Sequence, residues 1–173
     1  MLIVFVGKPG TGKTTLARLL AAERQAAHVR VDAIEAAIAR DSQMQQPVGP
    51  VGYLVTHEVA RSCLAVGITV VVDAVSPVAE ARRGWSDVAI AAGVPLRVIE
   101  VEVSDQTEHR RRVEQRRSDL DGLTVPSWEQ VQTRVYEPWD ENRDGPRLSV
   151  GNDGPPETAL ALIRAYLDQK RME

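Results

Sequence analysis

The chain has 173 residues and a net charge of −3, with an ordinary globular balance of 43% hydrophobic and 26% charged residues. That length suits one domain with a single sizeable core, and the charge offers no global attraction for polyanions, which counts against a dedicated nucleic-acid binder. No apolar run reaches transmembrane length, and a single cysteine, Cys63, excludes an internal disulfide and reads as a small packed residue in an apolar helix.

Leu2 to Val6 is a continuous apolar run, as expected of a parallel strand buried on both faces. It lacks a basic flank and runs into a glycine loop, so it reads as a first strand and not a signal peptide, with the cytoplasm as the expected compartment. Lys13 to Gln25 has helical apolar spacing, His28 to Val31 reads as a second strand, and Ala33 to Arg40 as a helix. Ser42 to Gly52, rich in Gln, Pro and Gly, reads as a loop. Tyr53 to Val66 is helical and ends at Gly67; Ile68 to Val72 is a third strand. A helix from Pro77 to Ala92 leads to a fourth strand, Leu96 to Val103. Gln106 to Arg117 is a very basic helix, Asp119 to Pro126 a loop, and Ser127 caps a helix to Tyr136. A fifth strand, Arg147 to Val150, and a last helix, Thr158 to Lys170, complete the order. The expected fold is α/β: a five-stranded parallel sheet with helices on both faces in one domain, with a lid at about 105–126. Ligands in such sheets bind at the carboxyl ends of the strands, and the polar motifs follow strands.

The run GKPGTGKTT fits G-x-x-x-x-G-K-[ST] between a strand and a helix, the context that gives the motif its meaning. Gly7, Lys8, Pro9, Gly10, Thr11, Gly12, Lys13, Thr14 and Thr15 are therefore the expected triphosphate-binding residues. The backbone N–H groups and the positive end of the following helix face the phosphates. Lys13 is expected to reach the β- and γ-phosphates of ATP, and the Thr14 hydroxyl to ligate Mg²⁺. Asp32 follows the second strand in VRVD and suits a general base, or the N-cap of the next helix. Asp73 closes ITVVVD, a Walker B shape, and is expected to hold Mg²⁺ or to serve the substrate side. Five arginines lie between Arg110 and Arg117 against Glu108 and Glu114. Arg112 and Arg116, spaced i, i+4, share a helical face and could clamp a transferring phosphoryl group; a solvated charged helix or a nucleic-acid backbone contact would use the same residues.

With these residues in view, the chain resembles small P-loop kinases of nucleoside-monophosphate-kinase-like fold, closest to the bacterial "AAA domain" family of small-molecule kinases. The resemblance rests on GKPGTGKTT, VD at Val31 and Asp32, VVVDAVSP, SDQTEHRRRVEQRRSD and PSWEQVQTRVYEPWD. It implies ATP-dependent phosphotransfer to a hydroxyl, with Asp32 as base and an arginine lid. Polynucleotide kinases and zeta-toxin-like proteins share that logic, but commonly carry Arg three residues after the Asp, where this chain has Glu35. Glu35 suggests a neutral or cationic acceptor, or a pocket that has drifted. VSPVAEAR looks like part of adenylylsulfate kinases and puts Arg82 or Arg83 within reach of an acceptor, yet the DGD and KGLY-like segments are missing.

His57 and Glu58 lie on a helix expected to border the acceptor pocket, with His57 read as a packing residue; Trp128, Tyr136 and Trp139 read as packing for the lid side. Asn152 and Asp153, between Gly151 and Gly154, are placed for a loop against adenine or for an ordinary turn. The expected activity is transfer of the ATP γ-phosphoryl to a small-molecule acceptor, with no membrane partner. A slow nucleotide-dependent switch, a polynucleotide 5′-hydroxyl kinase and an adenylylsulfate kinase are the alternatives.

Overall fold

A computed structural model describes residues 1–41, 49–121 and 123–169. Its five strands are β1 (Leu2–Val6), β2 (Ala27–Arg30), β3 (Val70–Asp73), β4 (Leu96–Glu102) and β5 (Leu148–Gly151). All pairings are parallel, in the order β2-β3-β1-β4-β5. The helices are α1 (Lys13–Glu23), α2 (Val31–Asp41), α3 (Val51–Ala65), α4 (Ala79–Ala91), α5 (Gln106–Gln115), α6 (Trp128–Thr133), α7 (Glu141–Asp144) and α8 (Pro156–Asp168).

The side-chain alternation of β1 divides the core in two. Leu2, Val4 and Val6 face a cluster that includes Ala60 and Leu64 of α3 and Trp85 and Val88 of α4. Ile3 and Phe5 face the opposite cluster, closed by Leu16 and Leu20 of α1 and by Leu160 and Ile163 of α8. Each face of the strand is covered by helices, so no polar position is tolerated along it, and the unbroken apolar run follows. Strand β1 pairs with β3 on one side and β4 on the other; the chain leaves β1 for β2, beyond β3, and later crosses back over β1 from β3 to β4. The crevice at the carboxyl end of β1 is where such sheets hold ligands.

Several boundaries move relative to the sequence reading. β2 ends at Arg30, and α2 begins at Val31, so Asp32 lies in the first helical turn and is not an N-cap. β3 ends on Asp73, not at Val72. Helix α3 opens at Val51, two residues early, after a turn at Gly49 and Pro50; residues 42–48 of the expected loop lie outside the described residues. Ser127 does cap α6, in a reciprocal box with Gln130, but that helix stops at Thr133. The short α7 has no counterpart in the sequence reading. Among the described residues no helix is long and apolar enough to cross a membrane.

Candidate active site

A cavity of about 1020 Å³ opens at the carboxyl ends of β1, β2 and β3, under the segment that runs from α5 to α6. Pro9, Gly10, Gly12, Lys13, Thr14 and Thr15 line one side; Gly7, Lys8 and Thr11 belong to the same loop but not to the wall. Gly12 has φ +90, and a Cβ there would run into the Asn152 amide. Only glycine takes this left-handed conformation at so little cost. Lys13 is buried, and its ammonium donates to the Lys8 carbonyl at 2.8 Å. Burial brings its pKa down to about 8, against the opposing pull of Asp73 and Asp32.

The loop is braced from behind by residues far along the chain. His109 of α5 donates through Nε2 to the Pro9 carbonyl at 2.8 Å and stacks edge-on with Trp128. Val113, one turn on, fills the space beside Gly10. The buried Asn152 amide donates to the Thr11 carbonyl at 2.8 Å. Asp153 accepts from the backbone N–H groups of Ser104 and Asp105. Both side chains thus tie loops together.

Two carboxylates and a buried arginine form the floor, and a third carboxylate reaches them from the roof segment. The Asp73 side chain is 5% exposed, and its Oδ2 has no hydrogen-bond partner among the described residues. The β2–β3 register sets Arg30 beside it, with Arg30 Nε at 3.7 Å from Asp73 Oδ2. Asp32 Oδ2 lies 3.5 Å from Arg30 and 3.7 Å from Arg116. Asp119, beyond α5, receives Arg30 Nη1 at 2.8 and 3.0 Å and is also bonded by Arg18. These arginines bring its pKa down to about 2, against a smaller opposing effect of burial. Glu35 also lines the cavity, wedged against Gly52 of α3. Burial, reinforced by the nearby Asp32 charge, lifts its pKa to about 7.

The arginine helix divides its labour. Arg110 pairs with Glu114, and Arg111 and Arg112 pair with Glu108. Arg112 also donates to the Asn152 carbonyl at 2.6 Å and lies near that of Asp153 at 3.4 Å. Helix α5 ends at Gln115 and Arg116 is extended, so the shared helical face expected for Arg112 and Arg116 is not formed, although both still line the cavity. Across the cavity, α6 brings Gln130, Thr133 and Arg134 to the wall, so the roof reaches past residue 126.

Other expected acceptor contacts lie elsewhere. Arg82 is buried, pairs with Asp144 at 2.8 Å, donates to the Ser76 and Glu137 carbonyls, and lies 4.8 Å from the centre of the Trp139 ring. It is neither a solvent charge nor a cavity residue. Arg83 is exposed outside the cavity. His57 stacks edge-on against Trp85 at 4.4 Å and, like Glu58, does not line the wall. Trp128 does pack the roof side, while Tyr136 bonds to Glu100 and Trp139 packs on Arg82.

Sequence reasoning passed over Arg30, Asp119 and Arg134. The signal for Arg30 was a charged residue two positions before the aspartate in VRVD, inside the segment read as the second strand.

A family model described as AAA domain matches residues 2–138. Among solved structures, an unliganded sugar kinase from Janibacter sp. HTCC2649 is 17% identical, covering 96% of this chain and 94% of its own, with a TM-score of 0.71. The APS kinase CysC of Mycobacterium tuberculosis, solved in complex with AMPPNP and APS, is 19% identical over 97% of each chain, with a TM-score of 0.70. A gluconokinase from Sinorhizobium meliloti 1021 is 17% identical over 97% of each chain, with a TM-score of 0.64. No curated protein matches the chain. At these identities the likeness establishes the fold, that of P-loop kinases.

Proposed function

We propose that this chain, which belongs to the AAA domain family, is an ATP-dependent kinase that moves the γ-phosphoryl group to a hydroxyl of a small-molecule acceptor. The observation that carries this reading is the meeting of Lys13, Asp32, Asp73 and Arg116 in one cavity beside a glycine loop that leaves no room for side chains.

The residues present fit magnesium-bound ATP. Asp73 keeps an unpartnered, buried oxygen at the floor, and Thr14 lines the same cavity. Among the described residues no group of three or more His, Cys, Asp or Glu could hold a metal ion alone. Mg²⁺ takes one or two protein ligands and completes its shell with phosphate oxygens and water. Asp73 and Thr14 are the residues that would hold it, and the ion, when bound, supplies neutralising charge at the β- and γ-phosphates.

Lys13, released from the Lys8 carbonyl, reaches the phosphates; an anion beside its buried ammonium favours the protonated form. Asp32 orients the acceptor hydroxyl and accepts its proton as the oxygen attacks phosphorus. Arg116, already 3.7 Å from Asp32, stands where charge develops on the transferring group. Arg112 acts as a positioning residue, since its donors hold the loop after β5. The roof from α5 to α6 excludes water, which would otherwise compete as acceptor.

The test is incubation with ATP and pooled metabolites, read by mass spectrometry for the gain of one phosphate. Asp32→Asn should lower transfer by about 10²–10⁴-fold while ATP affinity stays nearly intact. Full transfer by that variant would rule out the base assignment, and ATP turnover that no acceptor stimulates would favour a nucleotide switch.

A further inference from the structure

Resting on that phosphotransfer reading, we infer that the acceptor is a small anionic alcohol, whose carboxylate or phosphate seats on Arg30 in the place held by the Asp119 carboxylate.

A guanidinium as deep as that of Arg30, whose side chain is 5% exposed, needs compensating negative charge. Three carboxylates provide it: Asp73 at 3.7 Å, Asp32 at 3.5 Å and Asp119 at 2.8 Å. Two of these have other duties during transfer, Asp73 toward the metal and Asp32 toward the acceptor hydroxyl. The third, at the shortest distance, sits on a side chain that is 42% exposed, in the segment after α5. Asp119 lines the cavity as Arg30 does, so the guanidinium receives a carboxylate from the cavity side. An acceptor anion arriving by the same route makes the same charge-assisted bonds.

The charge of the whole cavity points the same way. Eight lysine and arginine side chains line it against four carboxylates; one further carboxylate, Glu108, is shared by Arg111 and Arg112, so a surplus of three positive charges remains in a chain of net charge −3. Magnesium–ATP carries about two net negative charges, because the cation cancels part of the phosphate charge, and leaves part of the surplus unmet. Arg134, on the cavity wall and close enough to act on Glu35 through its charge, makes no ion pair within 4 Å among the described residues. A neutral acceptor leaves this imbalance and a cationic one enlarges it. Glu35, its pKa raised by burial and by Asp32, is the cavity carboxyl that most readily takes the neutral form and offers the acceptor a hydrogen bond. One buried guanidinium at a cavity floor suits one anionic group, whereas a polynucleotide is held by a groove tracking many phosphates.

The test is calorimetric titration of the full chain, saturated with Mg²⁺ and AMPPNP. Glycerate, glycerol 3-phosphate and inorganic phosphate serve as anionic probes, with glycerol and ethanolamine as neutral and cationic ones. The anionic probes should bind and the others should not. Arg30→Gln should weaken anion binding by about 10-fold or more. Arg30→Lys should weaken it too, since a point charge replaces the planar fork. Asp119→Asn should tighten it by removing the internal competitor. The inference is overturned if the anions bind no better than glycerol in both the wild type and Asp119→Asn. It is equally overturned if neither Arg30 variant changes their affinity; should Arg30→Gln fail to fold, Arg30→Lys and Asp119→Asn decide. Steeply salt-dependent binding of a 5′-hydroxyl oligonucleotide, with no binding of the small anions, would overturn it in favour of a polynucleotide acceptor. Arg30-dependent anion binding without phosphate transfer from ATP to any acceptor would instead sink the kinase reading and leave the anion site standing.

Discussion

Arg82 and Arg30 are almost equally buried, at 3% and 5% exposure, and their surroundings differ in kind. Arg82 is enclosed by permanent partners: the Asp144 carboxylate, backbone carbonyls from two loops, and the rings of Tyr136 and Trp139. Arg30 has one side in the sheet and the other in a cavity, and its shortest bonds reach a half-exposed side chain. Its Nε has no hydrogen-bond partner among the described residues. A buried charge whose partners are all internal holds a structure together. One whose nearest partner can be exchanged is available to a ligand. Burial alone does not separate the two; the replaceability of the partner does.

That distinction can be broken by substitution. Arg82→Met should lower stability by about 3 kcal/mol, the low end for a broken buried pair, because it leaves the buried Asp144 carboxylate with Arg143 alone. Arg30→Gln should cost less than about half as much, since water in the cavity reaches the carboxylates it deserts. Urea denaturation of the two variants side by side decides; equal losses would make Arg30 a second keystone.

A smaller effect probes the brace behind the phosphate loop. Gly12→Ala forces a side chain into a left-handed backbone and against Asn152. It should weaken ATP binding by about 1–3 kcal/mol. Adding Asn152→Ala should recover part of the loss, because it removes the collision but not the backbone strain. Nucleotide titration of the single and double variants checks both.

The smallest effect contrasts two carboxyls by pH. Asp144 lies well below the usual carboxylate range, held there by Arg143 and Arg82 against the opposing cost of burial. Its contribution to stability is therefore kept above the ordinary Asp range and lost only in strong acid. Glu35 has the opposite sign: its folded pKa is raised to about 7 by burial and by Asp32. The folded state holds that proton more tightly than the unfolded chain, so stability should fall as pH rises from the ordinary Glu range through 7. Glu35→Gln should remove about 1 kcal/mol of that pH dependence, read as melting temperature at pH 5 and pH 8. Parallel curves for the variant and the wild type would contradict the buried setting of Glu35.

The sequence disclosed what is local. GKPGTGKTT carries its own geometry, because glycines, lysine and hydroxyl sit within nine consecutive residues. The apolar run of β1 and the helical periodicity of α1 and α8 were likewise readable from spacing. What stayed hidden depends on contacts between distant segments. Arg30 gains its meaning from a strand register that sets it beside Asp73, and from Asp119, 89 residues away. Arg82 looked like any arginine on a helix until Asp144, 62 residues on, closed over it. Arg112 looked like a clamp by helical spacing, yet its donors meet carbonyls of the loop after β5. The arginine count of α5 was informative about the cavity's sign and silent about which side chains were already taken.

The hydrogen bond from Asn152 to the Thr11 carbonyl also has a consequence for biosynthesis. The phosphate loop leaves the ribosome well before its brace. Strand β1 gains its two neighbours only with residues 70–73 and 96–102, and the Thr11 carbonyl waits for residue 152. A nascent chain therefore carries the complete nucleotide motif through the synthesis of the 141 residues that separate Thr11 from Asn152 before the brace that shapes it exists.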